Sequence, residues 1–240
     1  MKNPPIRELV IDIRAVTSKK FGVNSFESIH EKIANDYPNK KEISAFSGEF
    51  NIADPARMKQ SSAVLGYVFS TEDKKNLIQC RTNGFTVNRI GNYQETSFSN
   101  ELEKVKKYWA MYRDVAKPTA IDRIAVRVIN DLPLPLGSDT ADYLKILPPF
   151  PDSGRVTQIE GFFNRQKFLW NDEIKVNFIF AYEGKITDKF VTMIMDIDLY
   201  KELPNSIEEE EMWKTFHSLN DGKNQIFLSS LTDKGQGLFV

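Results

Sequence analysis

The sequence predicts an α+β fold of two tandem β-α-β-β-β-α units, with mainly antiparallel sheets and helices packed on one face. Three observations lead there. Strand-like segments alternate apolar and polar residues, as expected of an antiparallel sheet with one dry face. Helical stripes bounded by capping and stop signals separate groups of such strands. The order of elements that begins near Ile6 begins again near Ile121.

The first strand covers Ile6–Val16, where Leu9, Ile11, Ile13 and Ala15 share one face and Glu8, Asp12 and Arg14 the other. Ser25 reads as an N-cap for a helix with Phe26, Ile29, Ile33 and Tyr37 at helical spacing, stopped by Pro38. Three strands follow at Glu42–Ile52, Ala63–Thr71 and Leu77–Ile90, with a polar hairpin tip at Glu72–Asn76. Ser99 is the expected cap of a helix carrying Leu102, Val105, Trp109, Tyr112 and Ala116, which ends before Pro118.

The second unit opens with Ile124, Val126 and Val128 in alternation. It continues with a short helix over Thr140–Ile146 and the proline-rich stretch 148–151. Strands at Val156–Lys167, Ile174–Tyr182 and Phe190–Tyr200 come next. Ser206-Ile207-Glu208-Glu209 has the form of a capping box, opening a helix with Met212, Trp213, Phe216 and Leu219. A further helical stretch is expected around Ile226, Phe227 and Leu231. Across the two units Leu9 matches Ile124, the 47–51 stretch matches 160–164, Val68-Phe69 matches Ile179-Phe180, and Trp109 matches Trp213. An internal duplication with units 1–118 and 119–240 is the expectation, joined in one globule, with the two tryptophans in equivalent buried places.

Lys+Arg 32 against Asp+Glu 33 gives a net charge of -1, and the pI is near 6.2. That balance disfavours a protein built to neutralise phosphates. Hydrophobic residues at 41% and aromatics at 12% suffice for a packed core. No apolar run is long enough to span a membrane, and the polar start Met1–Pro5 lacks a signal-peptide pattern. The single Cys80 excludes an internal disulfide and suits a reducing compartment, so a cytoplasmic location is expected.

His30 and His217 have no cysteine or histidine partner at zinc spacing, so neither is expected to hold a metal. Cys80 sits mid-strand and reads as a buried, inert thiol. No nucleophile elbow, P-loop or dinucleotide fingerprint follows any strand, and no cofactor is expected. The candidates that remain are charged. Asp196 and Asp198 lie two apart on a strand, roughly 6.5–7 Å along it, a spacing that suits acid–base work or a hard cation. Arg123 and Arg127 share the polar face of the central strand, about 13 Å apart. Arg81 and Arg89 could join them, since a planar guanidinium grips carboxylate or phosphate in bidentate fashion. The competing expectation is cross-strand pairing of the arginines with Asp196, Asp198 or Glu8. Asn130, on the opposite parity, is expected to anchor a turn into Leu132-Pro133. The run Glu208–Glu211 complements a helix N-terminus.

Several of these stretches resemble a sporadically distributed bacterial and archaeal protein family. They are Asn3–Ile11, Asn83–Arg89, Asp122–Asn130 closed by Leu132-Pro133, Asp196-Ile197-Asp198, Lys223–Phe227 and Leu231–Asp233. The resemblance spans nearly the whole chain in order and implies a prokaryotic source. It places Lys223 and Asn224 among the candidate binding residues. The family typically carries a tryptophan after the Tyr93 position, where this chain has Gln94–Phe98, and no established activity, substrate or cofactor comes with it.

The expectation for function is a non-catalytic binding module whose ligand is a small anion or a protein partner, homodimerisation included. The alternatives are a metal-assisted or acid–base hydrolase using Asp196 and Asp198 with Arg127, and a nucleic-acid-binding protein with a contiguous basic face.

Overall fold

Alternation drives the architecture more thoroughly than duplication does. In the computed structural model nine strands among the described residues form one antiparallel sheet that runs through both halves of the chain. The structure describes residues 3–18, 21–49, 59–91, 93, 96–147, 159–204 and 206–239. In chain order the elements are β1 (Ile6–Val16), α1 (Glu27–Ile33), β2 (Asn39–Glu49), β3 (Lys59–Ser70), β4 (Asn76–Arg81), β5 (Gly84–Ile90) and α2 (Phe98–Ala116). There follow β6 (Ala120–Pro135), β7 (Phe162–Leu169), β8 (Ile174–Ile186), β9 (Phe190–Glu202), α3 (Glu209–Ser229) and α4 (Asp233–Gly237). The sheet order is β2-β3-β4-β5-β1-β6-β9-β8-β7, with β1 and β6 adjacent at its centre.

Two tandem β-α-β-β-β-α units are therefore not what the chain builds. The segment expected as one strand at 77–90 is a hairpin, β4 and β5, turning at Thr82-Asn83. The core positions switch from even numbers (Ile78, Cys80) to odd ones (Phe85, Val87) across that turn. Gly84 has φ +150°, and a Cβ there would lie 2.5 Å from the Ile13 carbonyl oxygen, so the turn has room only for glycine. The helix expected over Thr140–Ile146 is a single 3₁₀ turn at Thr140–Asp142. The tryptophans differ too. Trp109 is buried against Phe85 and Tyr112, whereas Trp213 is half-buried with Lys106 over its ring. The stretch 148–151, the residues 50–52 and the first residues of the expected strand at 156 lie outside the described residues.

Capping also departs from expectation. Ser97, not Ser99, caps α2 by accepting from the Asn100 amide at 3.2 Å, and Lys117 (φ 45°) ends the helix before Pro118. The Ser206 hydroxyl accepts from the Ile121 amide instead of closing a box, and Glu208 caps α3 without a side-chain bond. α1 is preceded by a 3₁₀ turn, Val23–Phe26, with Phe26 rather than Ser25 at the N-cap of α1; the Ser25 carbonyl accepts from the Ser28 hydroxyl. α3 is continuous through Ile226 and Phe227.

The core lies between the sheet and the helices. Leu9, Ile11 and Ile13 of β1, Ile124, Val126 and Val128 of β6, and Met195, Ile197 and Leu199 of β9 are all buried on one face. α2 covers the β5 end of that face through Trp109 on Phe85, and α3 covers β6 and β9 through Met212, Phe216 and Leu219. No helix among the described residues is long and apolar enough to cross a membrane.

Candidate functional site

The opposite face of the sheet carries most of the charged residues singled out by sequence. Arg81 donates to Asp12 at 2.8 Å, and Arg123 bridges Asp12 at 3.2 Å and Asp198 at 3.2 Å while lying over the Tyr200 ring. Arg127 grips Asp196 in bidentate fashion, through Nε at 2.8 Å and Nη2 at 2.5 Å. In register Arg127 faces Asp198, so it reaches diagonally along β9 to Asp196. Thr86, Gln79 and Asn88 extend the network to Glu8. These side chains line a shallow cleft of about 320 Å³.

Arg89 does not join that face. The β4–β5 turn puts it on the parity of Phe85 and Val87, with Asn76 opposite in register and hydrogen-bonded to it at 3.0 Å. Arg81, Arg123 and Arg127 each hold a carboxylate, so the face is a balanced ion-pair lattice rather than a contiguous basic surface. Burial is the main cause that raises the pKa of Asp198, with Arg123 and Arg127 pulling the other way. Among the described residues no group of three His, Cys, Asp or Glu side chains could hold a metal ion. Cys80 is buried, and burial pushes its thiol far up. His30 stacks on Phe69 and contacts the Tyr37 carbonyl, and His217 meets the edge of Phe98.

A second site lies on the helix side, where α3 crosses the end of β6. Its walls are Pro5 and Ile6, Phe98, Val128 and Phe227, which enclose a cavity of about 390 Å³ that reaches the surface beside Leu228. Three polar residues converge on it. Lys223 is only 3% exposed, and among the described residues it has neither an ion-pair partner nor a hydrogen-bond acceptor. Removal from water is the main cause that pulls its pKa down to about 8, opposed by the charge of Asp221. Asn220, one helical turn earlier, has a buried Oδ1 that meets no donor among the described residues. Asn130 of β6 is 2% exposed and donates through Nδ2 to the Met195 carbonyl at 3.0 Å. Asn224 stands at the rim, exposed.

Asn130 anchors no turn, because β6 runs unbroken to Pro135. Its parity, which separates it from the arginines, is what delivers it to the cavity that Lys223 also lines. Asn220 is absent from the sequence-based candidates. A signal for the site was present nonetheless. Met212, Phe216, Leu219, Lys223 and Ile226 recur at the spacing of one helix stripe, and a lysine occupies an interior place in it. Comparison with protein-family models, with curated proteins and with solved structures yields no match, so the site stands on its own geometry.

Proposed function

We propose that the protein is a non-catalytic, cytoplasmic ligand-binding module that takes a small organic anion with an apolar body into the Lys223 cavity. The observation that carries this reading is a lysine, 97% buried, that meets no carboxylate among the described residues and opens onto a cavity with apolar walls. A buried ammonium without a counter-charge is costly, and an anion entering the cavity supplies that charge. At roughly 30 Å³ for each small group, about the share of a water in the liquid, the cavity accepts about a dozen heavy atoms. Monocarboxylates such as hexanoate and phenylacetate fit that description. The membership suggested by sequence resemblance belongs to the same proposal and rests on the stretches quoted for it.

Calorimetric titration with hexanoate and phenylacetate tests the reading. Binding is expected at pH 7 and should weaken as pH rises through 8 and the ammonium is lost. Lys223→Met should abolish it. Arg123→Met should leave it unchanged, because the arginine lattice is on the other face of the sheet. Binding that survives Lys223→Met, or that is lost only in Arg123→Met, would overturn the assignment.

A further inference from the structure

We propose that Lys223 is also a covalent capture site, whose amine condenses with a small aldehyde or ketone in the cavity to form an imine. The inference rests on the reading of this cavity as a ligand site, and adds a chemistry to it.

Lys223 is 3% exposed, its stem runs among apolar side chains, and among the described residues no carboxylate holds its proton. Surroundings of that kind favour the neutral amine, and only the neutral amine has a lone pair to donate. The walls formed by Phe98, Val128 and Phe227 suit a carbonyl compound with an apolar body, and they disfavour the return of water. In the condensation the nitrogen lone pair adds to the carbonyl carbon, giving a carbinolamine. The C–O bond then breaks, and the hydroxyl leaves with a nitrogen proton as water, so that a C=N bond joins ligand and lysine. No oxidant or reductant is consumed.

Asn220 supplies the second, independent element. Its Oδ1 is buried with no donor among the described residues, and it precedes Lys223 by three residues on the same helix face. The carbinolamine offers an O–H and an N–H where free lysine and carbonyl meet, so the intermediate satisfies an acceptor that is otherwise orphaned.

The test uses the full chain, hexanal and sodium cyanoborohydride, which reduces the imine to a stable secondary amine. Peptide mapping then locates the adduct. At pH 7.5 Lys223 should be modified roughly tenfold or more faster than the exposed lysines, because a far larger fraction of it is unprotonated. Excess hexanoate should suppress the Lys223 adduct alone, and its rate should rise from pH 6.5 to 8.5, opposite to the trend for hexanoate binding. Adducts spread over surface lysines with Lys223 unmodified would overturn the capture proposal. If hexanoate binds in that case, the ligand site stands without the chemistry; if hexanoate also fails to bind, the ligand-site reading falls with it. The map is made on the wild-type chain, so the outcome does not depend on whether a Lys223 variant folds.

Discussion

Replacing Lys223 by methionine should make the protein more stable at neutral pH. Burial holds the lysine near pKa 8 in the folded chain against 10.5 for an exposed lysine. A depressed lysine pKa means that the unfolded chain binds the proton more tightly. The native state therefore carries a penalty that is complete below about pH 8 and fades as pH rises towards 10.5. At 1.36 kcal/mol for each pKa unit the penalty is about 3 kcal/mol. Methionine keeps a comparable length and flexibility in an apolar setting, so the repacking cost should be small. Urea unfolding at a series of pH values measures the difference directly. The variant should be more stable by about 3 kcal/mol at pH 7, and the two chains should converge above pH 10. A variant less stable than wild type at pH 7 would refute the reasoning, because it would mean that the ammonium is well solvated or paired.

On the opposite face, Arg127→Met should cost more than Asp196→Asn in denaturant unfolding. Asp196 is the buried partner (6% side-chain exposure against 41%) and is the charge left stranded, so about 2–3 kcal/mol is expected against about 1 or less. Asp198→Asn should cost under about 1 kcal/mol, since Arg123 keeps Asp12. Because burial raises the Asp198 pKa, the wild-type carboxyl adds stability on the acid side that is lost as pH rises through its folded pKa. Wild type should therefore gain on the variant as pH falls from 7 towards 4 in the same assay. Cys80 should resist iodoacetamide at pH 8 in the native protein and react in urea, and rapid native labelling would contradict its burial. Gly84→Ala should destabilise by more than about 1 kcal/mol in thermal or urea unfolding, because its Cβ meets the Ile13 carbonyl.

What could be read in advance was local. Alternation in Ile6–Val16, through Ile124, Val126 and Val128, and in Phe190–Tyr200 reports directly which face of a strand is dry, and those residues lie in β1, β6 and β9 with that polarity. Pairing is different, because β1 lies against β6 across more than a hundred residues, and nothing in either segment announces the other as its neighbour. The hairpin at Thr82-Asn83 is marked in the sequence by a switch of apolar parity across an Asn-Gly step, but alternation continues on both sides of it, so Leu77–Ile90 reads as one strand. The Ser206 box failed for a tertiary reason, since the start of β6 takes its hydroxyl. The ion pair on Arg127 follows from residue type and parity, whereas the isolation of Lys223 depends on which elements close around α3, and stripe spacing alone does not give that.

The adjacency of β1 and β6 has a consequence for how the chain is made. β1 leaves the ribosome before the other strands of this sheet, yet both of its neighbours are distant, β5 ending at Ile90 and β6 starting at Ala120. A nascent chain that has released α2 but not β6 carries a five-stranded partial sheet in which β1 is an open edge. Its unpaired amides flank the buried row Leu9, Ile11 and Ile13. Synthesis at about 5–20 residues per second leaves that edge bare for seconds. β6 closes it, and the long-range pairing that does so is of the slow-forming kind. Glu8, Asp12 and Arg14 on the other face of β1 keep charge beside that edge during the wait. Charges so placed are of the kind that disfavours edge-to-edge association of half-made chains.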